Sequence, residues 1–260
     1  MQTGSPMTIS SRPGALAFLL TAACSALLGG CGSTNATATP APTSDGGAAP
    51  PPSETGANDG GTTPAAATRF EANAWADNWF AAYHGDTLLK EDSVPITTER
   101  SFNAETFTFE ATYPFTIAFV LKDFKENDSG LEYIGKSNQQ MGDGGFVFQL
   151  REAVTRRLVH ASSRAWKCLP IHRAPLNRAC EKDANPLATC GFEALAEPSA
   201  WKTESFDDRA WPSAAEFTAA AVGPKDGYAT ITWDPSAAFV WSADLLVDNT
   251  VLCRARVTAP

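Results

Sequence analysis

The chain has 260 residues and a formal net charge of −9, and its Lys and Arg residues are scattered rather than grouped. Neutralising phosphates needs clustered basic side chains, so nucleic acid is excluded as an expected partner and attraction to anionic headgroups is weak. Phe18 is the only aromatic residue before Phe70, and all seven Trp lie between Trp75 and Trp241, so a buried core has to come from about residue 70 onward.

Residues 1–30 carry the three parts of an export signal. Arg12 supplies the positive charge, Ala15 to Leu28 form a short apolar run, and small residues precede Cys31. The run is short for a membrane span. The stretch Leu28-Gly29-Gly30-Cys31 resembles the lipobox of bacterial lipoproteins. That resemblance implies a diacylglyceryl group on the Cys31 thiol, cleavage before Cys31 and acylation of the new amine, which makes the lipid bilayer a partner through Cys31. Cys24 is a competing site, but Thr21 stands where the pattern wants Leu. In enteric bacteria an Asp after the lipidated cysteine retains the protein on the inner membrane, so Gly32 points to the outer membrane or cell surface. Losing Arg12, the one charged residue of 1–30, takes the net charge to −10.

Residues 31–67 follow as a linker dominated by Ala, Gly, Ser, Thr and Pro, with Asp45, Glu54 and Asp59 as its only charges. Such a composition buries too little surface to offset its ordering entropy, so this stretch is expected to act as a tether. The remaining residues, 68–260, are enough for one well-buried domain.

That domain reads as β. Phe107, Phe109, Ala111 and Tyr113 alternate with Thr106, Thr108, Glu110 and Thr112, the period of a strand with one buried face. Phe115 to Leu121 is a continuous apolar run suited to a strand covered on both sides. Gly145 to Leu150 and Ala153 to His160 are expected as a strand pair, and Ala237 to Trp241 and Thr250 to Val257 as the last two strands. In the final strand Val251, Cys253, Ala255 and Val257 share one face, with Arg254 and Arg256 on the other. Ser213 to Val222 offers at most one short helix. Many short strands between Gly, Pro and Asp turns predict an all-β sandwich of jelly-roll type.

The segment Ala76-Asp77-Asn78-Trp79-Phe80-Ala81-Ala82-Tyr83-His84-Gly85 is similar to the opening strand and turn of galactose-binding-like jelly-roll domains. Ile117 to Asp123, then Gly144-Gly145-Phe146, look like their central strand and Gly-rich return. Phe206-Asp207-Asp208-Arg209-Ala210-Trp211-Pro212 resembles a turn common near their ends, and Phe239-Val240-Trp241 and Val251-Leu252-Cys253-Arg254 look like the closing strands. The likeness spans about 180 residues in order. It departs at His84, where Asn is usual; His tolerates a positive φ less readily, so the hairpin turn is expected to differ. The domain also resembles uncharacterised secreted bacterial proteins related to a group named for a Tyr-His-Tyr-His stretch, which is absent here. Members of the galactose-binding-like fold bind sugars or cell surfaces, and many hold a structural calcium.

Besides Cys31, the processed chain keeps Cys168, Cys180, Cys190 and Cys253. Four thiols in an oxidising compartment favour two disulfides. Cys180 and Cys190 bracket a polar loop and are expected to pair, leaving Cys168 and Cys253 either bonded to each other or buried as thiols. The spacings fit no zinc pattern.

No G-x-S-x-G, H-E-x-x-H, P-loop or G-x-G-x-x-G motif occurs, and only His84, His160 and His172 are available as bases. No catalytic residue is assigned, and no cofactor is expected beyond a candidate structural calcium. Asp123, Glu126, Asn127 and Asp128 put hard oxygen donors in one loop and form the candidate calcium set, although Lys125 inside the run argues for a solvated turn. Trp201, beside Lys202 and Glu204, is the candidate exposed indole for stacking on a sugar. The reading is therefore an envelope lipoprotein carrying a non-catalytic binding module, with a glycan as its expected partner. The alternative is a structural lipoprotein that assembles with another envelope protein, and a hydrolase ranks third.

Overall fold

The computed structural model describes residues 66–96 and 102–260, so Cys31, the signal segment and most of the linker lie outside the described residues. In chain order the strands are β1 (Thr68–Asp77), β2 (Trp79–His84), β3 (Thr87–Glu91), β4 (Ala104–Ala111), β5 (Phe115–Lys122), β6 (Leu131–Glu132), β7 (Gln140–Met141), β8 (Gly145–Glu152), β9 (Leu158–Ala161) and β10 (Lys167–Arg173). After the one-turn helix α1 (Pro186–Thr189) come β11 (Glu193–Ala194), β12 (Ala215–Phe217), helix α2 (Ala219–Val222), β13 (Phe239–Trp241) and β14 (Asp248–Val257). No helix among the described residues is long and apolar enough to cross a membrane.

Two six-stranded antiparallel sheets face each other. Sheet A has the order β12-β13-β8-β1-β4, with β9 taking the second half of the β8 edge that β13 leaves open; sheet B has the order β11-β10-β14-β5-β2-β3. The chain crosses repeatedly between the sheets: β1, β4, β8, β9, β12 and β13 lie in A, and β2, β3, β5, β10, β11 and β14 lie in B. The expected all-β sandwich is what forms.

Period-two alternation sets which residues meet in the middle. On β4, Phe107, Phe109 and Ala111 are buried while Thr106, Thr108 and Glu110 are exposed. Sheet B answers with Phe115, Ile117, Phe119 and Leu121 from β5 and Val251, Cys253, Ala255 and Val257 from β14. Phe119 sits at the centre, its ring 5.0 Å from Phe146, 5.1 Å from Phe148 and stacked on Trp166 at 5.2 Å. Each such ring, taken fully out of water, contributes about 2–3 kcal/mol. The β1 residues that face this core are Phe70, Ala72, Ala74 and Ala76; the three small side chains leave room for the aromatic rings opposite.

The outer face of sheet B is partly roofed. Trp201, Phe206 and Trp211 lie over Ala118, Val120, Ile171 and Leu252. Arg254 pins this roof, donating from Nε to Asp208 Oδ2 at 2.8 Å and from Nη1 to the carbonyls of Trp201 and of Thr203, the latter at 3.0 Å. On the outer face of sheet A, Trp75 is covered by the 226–239 segment, donating its Nε1–H to the Asp226 carbonyl at 3.0 Å.

Both disulfides form. Cys168–Cys253 joins directly paired residues of β10 and β14 on the core side, and Cys180–Cys190 closes the loop that contains α1. Two local expectations are corrected. The strand expected over Ala153 to His160 starts only at Leu158, because Glu152 folds a turn over itself through Thr155 and Arg157. The helix expected within Ser213 to Val222 shrinks to α2, while Ala215–Phe217 pairs with β13 as a strand. The β2–β3 hairpin turns on Gly85-Asp86, so Gly85 takes the positive φ of 54° and His84 stays in the strand.

Candidate functional site

Trp201 is not an exposed stacker. It is 2% exposed, packed against Trp211, and its indole N–H is satisfied by Glu197 Oε2 at 2.9 Å. The polar neighbours that make it look exposed in sequence stand at the rim, while Arg254 draws the backbone of the segment onto the sheet.

Trp201 lines a cavity of about 260 Å³ with little of its ring exposed, whereas Trp79, at the start of β2 on the outer face of sheet B, is only partly buried and lines a larger one. None of the roof residues 198–212 lines it. This cavity of about 490 Å³ is lined by Trp79, Glu91, Asp92, Ser93, Pro95, Ile96 and Lys122, and Ile96 and Lys122 also line a second cavity of about 340 Å³ that reaches Lys125, His172 and Thr250. The Lys122 ammonium lies 4.8 Å from the centre of the Trp79 ring. Asp92 is buried at the wall of the first cavity, where its Oδ1 accepts from the Val94 amide and its Oδ2 has no hydrogen-bond partner. Burial raises the Asp92 pKa to about 7; the Val94 amide opposes the shift, Glu105 adds to it and Lys90 opposes it. The two adjoining cavities thus offer an indole face and a cation, with the Asp92 carboxyl enclosed in the wall.

The histidines have structural partners. His160 Nε2 accepts from the Trp166 indole at 2.9 Å, His172 sits between Asn249 Oδ1 at 3.0 Å and Asp128 Oδ1 at 3.1 Å, and His84 packs edge-on to Phe115.

The candidate calcium set Asp123, Glu126, Asn127 and Asp128 does not come together as grouped. Glu126 Oε1 accepts from the Ile134 amide at 2.8 Å, Asn127 Oδ1 from the Ser129 amide at 2.8 Å, and Asp128 Oδ1 takes the Lys125 ammonium at 2.7 Å as well as His172. These oxygens are used up in holding the loop. Asp123 points elsewhere. It meets Asp77 and Asp143, and the three carboxylates each offer an oxygen within 4.8 Å of the other two.

This acidic cluster lies at the end of the sandwich where the chain crosses from β1 to β2. Asp77 ends β1 opposite Gly145, Asp123 follows β5, and Asp143 precedes β8. The sequence Gly142-Asp143-Gly144-Gly145 is shaped by this approach: a Cβ on Gly142 would stand 1.7 Å from Asp123 Oδ2, and one on Gly144 would stand 2.6 Å from the Trp241 ring. Glycine lets the loop close over the Asp123 carboxylate.

Asp77 is 0% and Asp123 2% exposed, and none of their four carboxylate oxygens has a hydrogen-bond partner. The nearby Phe124 amide donates instead to Asn78 Oδ1 at 2.5 Å. Lys225, from the segment after α2, reaches Asp143 at 3.0 Å and Asp77 at 3.5 Å. Burial, followed by the charge of Asp143, pushes Asp77 up to about 8 against the pull of Lys225. Burial, followed by the charges of Asp77, Glu132 and Asp143, pushes Asp123 well above the usual carboxylate range. For Lys225 burial works against the ammonium, but the two carboxylates more than offset it and its pKa rises.

Sequence reasoning found Asp123 and missed Asp77 and Asp143. The available signal was their position, each at a strand end, with Asp143 set between glycines. Compared with known proteins, the chain matches no family model, no curated protein and no solved structure.

Proposed function

We propose that this chain is an exported lipoprotein, anchored to the outer membrane or cell surface through acylated Cys31, whose β-sandwich is a non-catalytic module binding carbohydrate. The observation that carries the binding reading is the cleft on the outer face of sheet B. Sugar rings present apolar C–H faces to an indole and hydroxyls to polar groups. Trp79 offers the first contact, and the Glu91 carboxylate and the Lys122 ammonium, which line the same cavity, offer an acceptor and a donor to hydroxyls. The combined size of the two cavities suits one or two sugar rings. The finer fold reading, a galactose-binding-like jelly roll, is supported by the repeated crossing of the chain between two facing sheets and by antiparallel pairing throughout the described residues.

The test is a glycan array probed with the wild-type protein and with Trp79→Ala and Lys122→Met, near-UV circular dichroism verifying that each variant is folded. Expected is reproducible binding that falls at least tenfold in Trp79→Ala. An empty array, or binding that the Trp79 change leaves intact, overturns the carbohydrate reading.

A second reading, a structural lipoprotein docked to another envelope protein, is favoured by a different observation. Leu176, Leu187, Phe192 and Leu195 are all about half exposed around the Cys180–Cys190 loop. Scattered apolar side chains are ordinary on a surface, but four on one stapled segment are the kind of patch a partner covers. An empty array, together with a crosslink to an envelope protein that Phe192→Asp abolishes, decides for this reading.

A further inference from the structure

We propose that Asp77, Asp123 and Asp143 form a calcium site that ties the β1–β2 crossover to the loop before β8. Asp123 also lines the second of the two cavities, so Asp143, which lines neither, is the residue that separates this inference from what the cleft binds.

It rests first on convergence. Three carboxylates from three separate parts of the chain bring oxygens within 4.8 Å of one another, close enough to share one cation. Calcium–oxygen distances run at about 2.3–2.6 Å, whereas magnesium, at about 2.0–2.1 Å, wants a tighter octahedron and keeps several waters. No histidine or cysteine joins the group, so the donor set is hard and offers nothing to zinc or copper.

The second, separate observation is how few partners the two buried carboxylates have: one ammonium at 3.5 Å from Asp77 and no ion pair at Asp123. Asp77 and Asp123 are buried, yet all four of their carboxylate oxygens lack hydrogen bonds. A buried polar atom without a partner is costly, and native proteins satisfy nearly all of them with protein, water or an ion. Asp123 stands out, because Lys225 pairs only with Asp77 and Asp143. A divalent cation that displaced the protons of Asp77 and Asp123 would meet three carboxylates and one ammonium, a cluster whose two excess negative charges it offsets.

Gly142 supplies the third argument. Its backbone lies where any larger residue would strike the Asp123 carboxylate, so the loop closes over that carboxylate as a lid over a ligand. Lys225 is 37% exposed on the solvent side and touches the two carboxylates nearest to it, which makes it an internal competitor for the cation. Trp241, packed on Gly144 beside Asp143, is placed to report occupancy.

The experiment takes the full-length protein, stripped with EDTA, and titrates it with calcium chloride at pH 7 by calorimetry, following the melting temperature and the Trp-sensitised luminescence of terbium in parallel. Expected are one calcium per chain, a melting temperature that rises with calcium, and terbium luminescence that calcium displaces. Asp143→Asn, partly exposed and not needed to fill the core, should weaken calcium binding at least tenfold. Asp123→Asn should abolish it. Asp128→Asn, outside the cluster, should leave it unchanged, and Lys225→Met should tighten it several-fold. If the stripped protein is folded and shows neither heat nor a melting shift up to 5 mM calcium, the carboxylates are satisfied by protons and the site does not exist. Equal effects of Asp143→Asn and Asp128→Asn would place the calcium elsewhere, and magnesium binding as tightly as calcium would overturn the choice of ion.

Discussion

His160 shows how one side chain links packing to pH. Its Nε2 accepts the Trp166 indole hydrogen at 2.9 Å, which requires a lone pair there and hence a neutral ring. Burial lowers its pKa from 6.5 to about 4. Between those two values the unfolded chain binds a proton that the folded chain does not, so this contribution to stability is complete above about pH 6.5 and is lost as the pH falls toward 4. The gap corresponds to at most about 3 kcal/mol, at about 1.4 kcal/mol per pKa unit. Urea unfolding from pH 7 to pH 4 checks it: His160→Asn, which keeps an acceptor but cannot titrate, should flatten the slope over that window. An unchanged slope would remove His160 from the acid response. Little of this was legible in sequence. His160 and Trp166 are near neighbours in the chain, but nothing in their spacing shows that one satisfies the other.

At the scale of elements, the two disulfides should differ in weight. Cys168–Cys253 spans a sequence separation of 85 and ties adjacent strands, whereas Cys180–Cys190 spans only 10. Chain-entropy reasoning gives about 4–5 kcal/mol for the first and about 3 kcal/mol for the second. Replacing each pair by Ala in turn and measuring urea midpoints should therefore show a larger loss for Cys168/Cys253, and the reverse order would refute the entropic ranking. The short polar loop between Cys180 and Cys190 made that pairing readable, whereas the apolar face of an alternating strand showed that Cys253 is buried but left its bond to Cys168 open; strands such as β4 were readable from the same alternation. Strand β1 was harder to see. Its core face is mostly Ala72, Ala74 and Ala76, residues with little β preference, and it becomes a strand because β4 and β8 hydrogen-bond to it on both sides. The acidic cluster was illegible for a different reason: its members are far apart in sequence, and only the pairing of β1 with β8 and the β1–β2 crossover bring them together. Trp201 misled because local polarity says nothing about an arginine on the last strand.

For the whole molecule, anchoring is the expectation with the plainest test. Cys31→Ser should abolish incorporation of labelled palmitate and shift the protein from the membrane to the soluble fraction, because several acyl chains hold firmly where one alone binds marginally. Continued labelling of the variant would show the lipobox reading to be wrong. The sheet order then has a mechanical meaning for a tethered domain. β1, the first strand after the linker, lies between β4 and β8, and β14, the last strand, lies between β10 and β5. A pull on the N-terminal side of Thr68, directed along β1, cannot peel an outer strand away one bond at a time. It must shear two full ladders of hydrogen bonds together, and a pull past Val257 meets the same resistance in the opposite sheet. A domain loaded through either end in this way resists as a unit, which suits a chain held at one point against flow or against a partner that tugs on it.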